Sequence, residues 1–273
     1  MVAHEVGHHV QFDLDPKLEA ATADAVANAV ANAATIASAW RKWSEEAFAD
    51  TWSVLMVGGA AVWTVAQLLA ADPATLVAPI DPKSDYPPPL VRLALLGEIG
   101  RELDLDWESP AASDVLALLG TEAYAGLDPE ALDEHRAHLE HVPSIASALL
   151  DVPTGKTTVR LRSGFSDRLL GADGTATRWT NALFDDPPVI DKKNRVWSAR
   201  TLTAASADAA RRVNRLDPKA REHWFEKLRD RILTMLPTFG EEGTLSTAEE
   251  PDTAFPTADL ATELVTDLFD EVR

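Results

Sequence analysis

The strongest constraint on the fold is a helix-favouring stretch near the start of the chain. Residues 17–43 are rich in alanine and contain neither glycine nor proline. Because alanine has the highest helix propensity and both strong helix breakers are missing, this stretch favours an uninterrupted helix. Asp15-Pro16, just before it, supplies an N-cap residue followed by proline at the first helical position. We therefore predict one long helix from Asp15 to Trp43.

A second stretch, Thr51 to Ala71, carries no charged residue. Its length is close to that of a membrane span, roughly 20 residues. Ser53, Thr64 and Gln67 are polar and a glycine pair lowers its hydrophobicity, so a buried helix at the centre of a helical domain is the preferred interpretation. Ser44, followed by two acidic residues, marks a helix start from which one helix can continue to Ala71. Contact with a membrane is therefore not expected.

Further along, apolar residues recur at helical spacing in segments 90–103, 111–119, 129–141, 144–150, 199–216 and 219–236. In the first of these, Arg92 and Arg101 are predicted to point outward. Residues 151–197 are irregular, and Thr157 to Leu161 is the only convincing strand candidate there. The predicted fold class is mainly α, with a small strand-containing middle segment.

Composition shifts along the chain predict its organisation. Residues 1–150 are predicted to form a helical domain, and residues 151–236 a mixed segment with helices that pack on it. Residues 237–256 are polar, acidic and broken by proline, which is typical of a linker. Residues 257–273 place apolar side chains on one helical stripe. We expect this terminal amphipathic helix to dock on the body of the protein or on a protein partner.

Charge and cysteine content exclude several function classes. The chain has 44 acidic and 25 basic residues, a net charge of −19. Nucleic-acid binding depends on clustered Lys and Arg, so no nucleic-acid partner is expected, and neutral or basic substrates are weakly favoured. The chain has no cysteine, which leaves His, Asp and Glu as the plausible metal ligands. Only three residues precede His4, too few for a signal peptide, so we predict a cytoplasmic protein.

Residues 4–8 read His4-Glu5-Val6-Gly7-His8, an HExxH pattern. On a helix, histidines four residues apart lie on one face, so both imidazoles can reach a single Zn²⁺ ion. The glutamate between them can then serve as general base toward a water molecule that the metal activates. Two surface histidines near a terminus are the alternative interpretation.

A zinc site of this kind needs a third protein ligand, and Glu46 is the best candidate. Glu46 and Asp50 are four residues apart, so they share a face of the second predicted helix. Glu46 can bind the metal, while Asp50 can accept the spare N–H of a ligand histidine and fix its orientation. Glu45 is the fallback ligand, and a merely solvated acidic face is the alternative for both carboxylates.

HEVGH followed by Glu46-Ala47-Phe48-Ala49-Asp50 resembles the gluzincin zinc metallopeptidases of the thermolysin type, over about residues 1–71. The resemblance implies Zn²⁺ as cofactor and peptides or proteins as substrates. It also implies roles for five residues: His4, His8 and Glu46 as zinc ligands, Glu5 as the residue that polarises the nucleophilic water, and Asp50 as the residue that orients His4. The oxyanion donor is left open between Tyr86 and His135.

Gluzincins place a β-sheet before the active-site helix, and this sequence has none there. The resemblance therefore implies a zincin-like helical subdomain without that sheet. We expect a chain truncated at its N-terminus, with weak or absent catalysis. The rival hypothesis is a non-catalytic helical scaffold or interaction protein with a vestigial metal site.

Overall fold

The computed structural model describes residues 2–14, 17–105, 112–154, 159–164, 174–185 and 198–235. The fold is mainly α, as predicted. The elements of residues 2–105 are α1 (Val2–His9), a π-helical turn (Val10–Leu14), α2 (Leu18–Ala29), α3 (Ala34–Lys42), α4 (Ser44–Val57), α5 (Gly59–Leu69), α6 (Pro73–Leu76) and α7 (Pro89–Glu102). Those that follow are α8 (Ala112–Leu118), α9 (Pro129–Leu139), α10 (Val142–Leu150), β1 (Pro153–Thr154), β2 (Val159–Arg160), a 3₁₀ turn (Leu161–Gly164), α11 (Thr175–Ala182), α12 (Ser198–Asn214) and α13 (Pro218–Met235).

The prediction of one long helix from Asp15 to Trp43 is wrong, because the chain turns between α2 and α3. The turn is closed by backbone hydrogen bonds, among them Val30 N–H to the Ala27 carbonyl. Val30 and Trp40 are both completely buried, and α3 packs against α2. Burial of these two side chains thus overrides the local preference of alanine for a continuous helix. The predicted N-cap, Asp15-Pro16, lies outside the described residues.

The predicted second helix is also divided in two, with α4 and α5 separated at Gly58. This residue has φ of +63°, a conformation that favours glycine because it has no Cβ. All residues of α4 except Glu45 and Val57 are buried, so α4 is the central helix of its unit, as the buried-helix interpretation requires. Among the described helices, none is both long and apolar enough to cross a membrane.

Helix α7 forms as predicted, but one of its two arginines lies on the opposite side from that expected. Arg101 is exposed, whereas Arg92 is buried and pairs with the carboxylate of Asp50. The prediction that Arg92 points outward is therefore wrong.

The only strand pairing in the described part of the chain joins β1 to β2 antiparallel, and it overlaps the predicted strand at residues 159–160.

The chain divides into two compact units, residues 1–165 and 166–273. In the first, α1 packs on α4, while α7 packs on α4, α5 and α10. The second contains α11, α12 and α13, whose apolar side chains form a separate core that includes Trp179, Leu202 and Leu228. The predicted acidic linker and terminal amphipathic helix lie outside the described residues.

His138, on α9, is a buried histidine whose titration opposes folding. Its ring packs against Trp43, with the ring centroids 4.9 Å apart. Burial, reinforced by His135 and His141, lowers its pKa from 6.5 to about 4. Between about pH 6.5 and pH 4, His138 therefore binds a proton in the unfolded chain but stays neutral in the folded chain. This histidine lowers the free energy of unfolding by up to about 3 kcal/mol as the pH falls through that window.

We therefore expect His138→Leu to flatten the pH profile of stability between pH 7 and pH 4. Chemical unfolding at several pH values should show the variant gaining stability relative to the wild type as the pH falls. Gln67→Leu, an exposed change on α5 that removes no titratable group, is the control, and its profile should run parallel to that of the wild type. Parallel profiles for His138→Leu would contradict the assignment.

Candidate metal centre

Helices α1 and α4 approach each other closely at Gly7. An ideal Cβ atom placed on Gly7 would lie 2.7 Å from the Cα atom of Ala49, closer than real Cβ atoms come to backbone. Only glycine therefore permits this separation of the two helices. The contact brings the histidines of α1 over the acidic face of α4, and so glycine at this position of the HEVGH motif has a packing role.

Gly7→Ala is accordingly expected to push α1 away from α4. Overpacking of this kind costs typically about 1–3 kcal/mol of the free energy of unfolding, which urea titration measures. Gly100→Ala in α7 is the control, because a Cβ atom there meets only Leu105, at the ordinary contact distance of 3.9 Å. That control should be neutral or slightly stabilising. Equal stability of the two variants would mean that the close approach at Gly7 is not required.

Three side chains converge where α1 meets α4. The Nε2 atoms of His4 and His8 are 3.3 Å apart. The Glu46 carboxylate places Oε2 at 3.1 Å from His4 Nε2 and Oε1 at 3.5 Å from His8 Nε2. His4 and Glu46 are buried, and His8 is partly exposed. Within the described ranges this is the only group of three or more His, Asp or Glu side chains found that could hold a metal ion.

Asp50 lies behind His4 and is completely buried. Its Oδ1 accepts a hydrogen bond from His4 Nδ1 at 2.9 Å. Arg92 donates through Nε to Oδ2 at 2.6 Å and through Nη2 to Oδ1 at 2.8 Å. Burial by itself would raise the pKa of the Asp50 carboxyl, but the bonds from His4 and Arg92 outweigh burial and lower it. Asp50 is therefore an anion, and it fixes the ring of His4 with Nδ1 protonated and Nε2 directed at Glu46.

His4 carries a second proton when no metal competes for it. Burial disfavours the imidazolium, but the neighbouring carboxylates of Asp50 and Glu46 outweigh burial and raise the pKa of His4 to about 9. The buried Oε2 of Glu46, although close to His4, makes no hydrogen bond of good geometry. A buried carboxylate oxygen without such a bond, beside two imidazole nitrogens, has the donor chemistry of a site for a divalent cation.

Glu5 and His9 lie on α1 but outside this group. Glu5 is exposed, so its carboxylate is open to solvent. His9 pairs with Asp13 at 2.8 Å and is exposed, so it is not a ligand candidate. The fallback ligand Glu45 is not a member of the converging group either.

Of the two candidate oxyanion donors, the structure brings Tyr86 to the centre. The negative charge of Glu46, followed by burial, raises the pKa of the Tyr86 hydroxyl, while the guanidinium of Arg92 lies 5.7 Å from the Tyr86 ring centroid. His135, by contrast, is completely buried in α9 and cannot reach a substrate.

A pocket of about 410 Å³ opens beside Tyr86 and Arg92. Its mainly apolar lining includes Leu69, Leu76, Pro79, Ile80, Pro87, Pro88 and Pro89.

Comparison of the chain with protein-family models, curated protein sequences and solved structures finds no significant match in any of the three.

Two residues of the centre were not identified from the sequence. Arg92 is flanked by apolar residues that repeat at helical spacing. The only hint in the sequence that Arg92 is buried is its place beside Val91 and Leu95, which are themselves buried. Gly7 is part of the motif, but its role depends on the distance between two helices that are distant in sequence. Neither the partner of a buried Asp50 nor that distance can be obtained from residue spacing along one helix.

Proposed function

We propose that this protein is a zinc-dependent metallopeptidase of the gluzincin type, in which His4, His8 and Glu46 hold the metal. The observation that supports this most strongly is the convergence of two imidazoles and a buried carboxylate, with an exposed glutamate on the same helix. Four of the five residues that the HExxH and ExxxD motifs single out, His4, His8, Glu46 and Asp50, contact one another.

The ligand spacing is compatible with zinc. Zinc binds imidazole nitrogen at about 2.0–2.1 Å and carboxylate oxygen at about 2.0–2.2 Å in tetrahedral geometry, so pairs of ligand atoms stand roughly 3.3 Å apart. Here the two Nε2 atoms are 3.3 Å apart, Glu46 Oε2 is 3.1 Å from His4 Nε2, and Glu46 Oε1 is 3.5 Å from His8 Nε2. With one ligand atom taken from each residue, all three atoms lie within 4.8 Å of one another. Three protein ligands leave a fourth position open, which is the pattern of a catalytic and not a structural site.

The residues around the ligands supply the rest of the reaction. Bound zinc would provide Lewis acidity, which activates a water molecule and polarises a peptide carbonyl. Glu5 accepts the proton of the attacking water and delivers it to the leaving nitrogen as the C–N bond breaks. Asp50 holds His4 in the tautomer that leaves Nε2 free to bind. The Tyr86 hydroxyl donates a hydrogen bond to the oxyanion that develops on the carbonyl oxygen.

The apolar pocket beside Tyr86 and Arg92 gives part of a peptide a place to bind next to the reacting bond. Apolar clefts with a few polar groups are the usual form of such sites. The test is to incubate the zinc-loaded chain with a defined peptide mixture and detect new amino termini by mass spectrometry. The proposal requires cleavage that a chelator abolishes and added zinc restores. Cleavage that persists in the chelated, zinc-free chain would overturn it.

A further inference from the structure

The loop between α6 and α7 is held by two consecutive side chains at the junction of α3 and α4. Lys42 donates hydrogen bonds from Nζ to the backbone carbonyl of Pro82, at 3.3 Å, and to that of Lys83. Trp43, the next residue, donates from Nε1 to the carbonyl of Ser84 at 3.1 Å. Three consecutive carbonyls of the loop are therefore bound by two neighbouring side chains.

The bond from Trp43 fixes more of the loop than Ser84 itself. The Ser84 hydroxyl accepts a hydrogen bond from the backbone N–H of Tyr86 at 3.1 Å and donates one to the Tyr86 carbonyl at 3.0 Å. Pro87 follows, and the backbone of a residue before proline is restricted. Tyr86 thus has little freedom relative to Ser84, so the position of Ser84 determines where the Tyr86 ring lies.

The support for Tyr86 comes from a buried side chain and not from burial of Tyr86 itself. Tyr86 is 52% exposed, and its ring lies 5.7 Å from the guanidinium carbon of Arg92. Trp43, by contrast, is almost completely buried, with its ring centroid 5.6 Å from that of Trp40 and 4.9 Å from that of His138. Because close packing fixes a buried ring, the indole of Trp43 provides a rigid anchor for the loop.

The same junction also leads into a residue of the candidate metal centre. Trp43 lies between α3 and α4, and Glu46 follows three residues later in the first turn of α4. One short piece of backbone therefore sets the positions of both Glu46 and the loop that carries Tyr86. A group that acts on a developing charge needs such fixed geometry, because a displacement of about 1 Å can cost about 10²-fold in rate.

We propose that Lys42 and Trp43 are positioning residues for Tyr86, and this assignment rests on the proposed function. By binding three carbonyls of the loop, they keep the Tyr86 hydroxyl where it stabilises the oxyanion. Neither residue belongs to the group of metal ligands or lines the apolar pocket, so each acts on the reaction through Tyr86.

Kinetics of peptide cleavage in single and double variants are the first test. Trp43→Phe keeps an aromatic ring next to His138 but removes the N–H donor. Trp40→Phe is the matched control, because Trp40 Nε1 makes no hydrogen bond within the described residues. We expect Trp43→Phe to lower kcat about tenfold and Trp40→Phe to change it by less than about twofold. In the Tyr86→Phe background, which lacks the hydroxyl, Trp43→Phe should lower kcat no further.

Lys42 provides a second variant that leaves the core intact, since its side chain is 36% exposed. Lys42→Met removes the ammonium that binds two loop carbonyls. Lys83→Met makes the same change of charge within the loop but keeps the backbone carbonyl that Lys42 binds. We expect Lys42→Met to lower kcat about tenfold, again only while the Tyr86 hydroxyl is present, and Lys83→Met to leave kcat unchanged.

Hydrogen exchange of the loop amides tests the same contacts without turnover. The N–H of Ser84 donates to the Asp81 carbonyl at 3.0 Å, and the N–H of Tyr86 donates to the Ser84 hydroxyl. Trp43→Phe and Lys42→Met should each speed the exchange of these amides about fivefold, the effect expected from the loss of one hydrogen bond. The two control variants should exchange at the wild-type rate, and all four variants should keep the zinc content of the wild type.

Unchanged exchange in both Trp43→Phe and Lys42→Met would overturn the proposal. So would equal losses of kcat with and without the Tyr86 hydroxyl, because these would mean a general structural role. A chain that binds zinc and cleaves peptides would keep its proposed function in either case. A chain that binds no zinc would lose the proposed function, and the positioning role of Lys42 and Trp43 in catalysis with it, whatever the exchange rates show.

Discussion

Asp50→Asn is expected to be the most destabilising single substitution among those considered, lowering the free energy of unfolding by about 3–5 kcal/mol. The asparagine keeps the shape of the side chain but removes the negative charge. It thereby leaves the Arg92 guanidinium, buried at 8% exposure, without a counter-charge. Because His4 also loses its charged acceptor, zinc affinity should fall by about 10–100-fold. Urea unfolding and competitive zinc titration measure the two effects.

Asp24→Asn provides the control, because Asp24 pairs with Arg41 at the surface, with both side chains more than half exposed. An exposed pair contributes about 1 kcal/mol or less. A further variant, Asp50→Leu with Arg92→Met, replaces the buried pair with apolar groups and should recover much of the stability but not the zinc affinity. Equal, small effects of Asp50→Asn and Asp24→Asn would contradict the account of Asp50.

Glu5→Gln is expected to have the largest effect on activity, lowering kcat by about 10²–10⁴-fold. The amide cannot accept the proton of the attacking water, although its size and position match those of the glutamate. Zinc content should be unchanged, because Glu5 is exposed and outside the group of ligands. Peptide cleavage by the zinc-loaded variant, followed by mass spectrometry, measures the loss.

His9→Gln is the matched control for this substitution. His9 is an exposed neighbour on the same helix and pairs only with Asp13 among the described residues. Its replacement should leave cleavage within about twofold of the wild type, since a surface pair contributes little. Retained activity in Glu5→Gln would remove the general base from the mechanism, and with it the assignment of a peptidase.

The sequence was sufficient to predict the fold class and most of the helices, because helical periodicity and the prolines at helix starts are local signals. Pro89, Pro129 and Pro218 each begin a helix in the structure, within a few residues of the predicted starts. The breaks at Val30 and Gly58 were not predicted. The break at Val30 depends on which side chains are buried, and this overrides propensity in an alanine-rich stretch. The break at Gly58 depends on a positive φ that glycine permits but does not require.

The candidate site shows the same division between local and long-range information. The pairing of His4 with His8, and of Glu46 with Asp50, follows from the four-residue spacing on a helix. That α1 would lie on α4, at a distance that only Gly7 allows, is a tertiary contact. The position of Arg92 behind Asp50 is another. A buried carboxylate requires a partner, but residue spacing does not say which helix provides it.

Zinc content of the purified chain and its variants tests the central claim most directly. After zinc loading and removal of free metal, elemental analysis should give near-stoichiometric zinc for the wild type and for the control His9→Ala. His8→Ala and Glu46→Ala should each lose it, since each removes one of three protein ligands. A wild-type chain without zinc at neutral pH, or variants that keep it, would contradict the account and favour the helical scaffold.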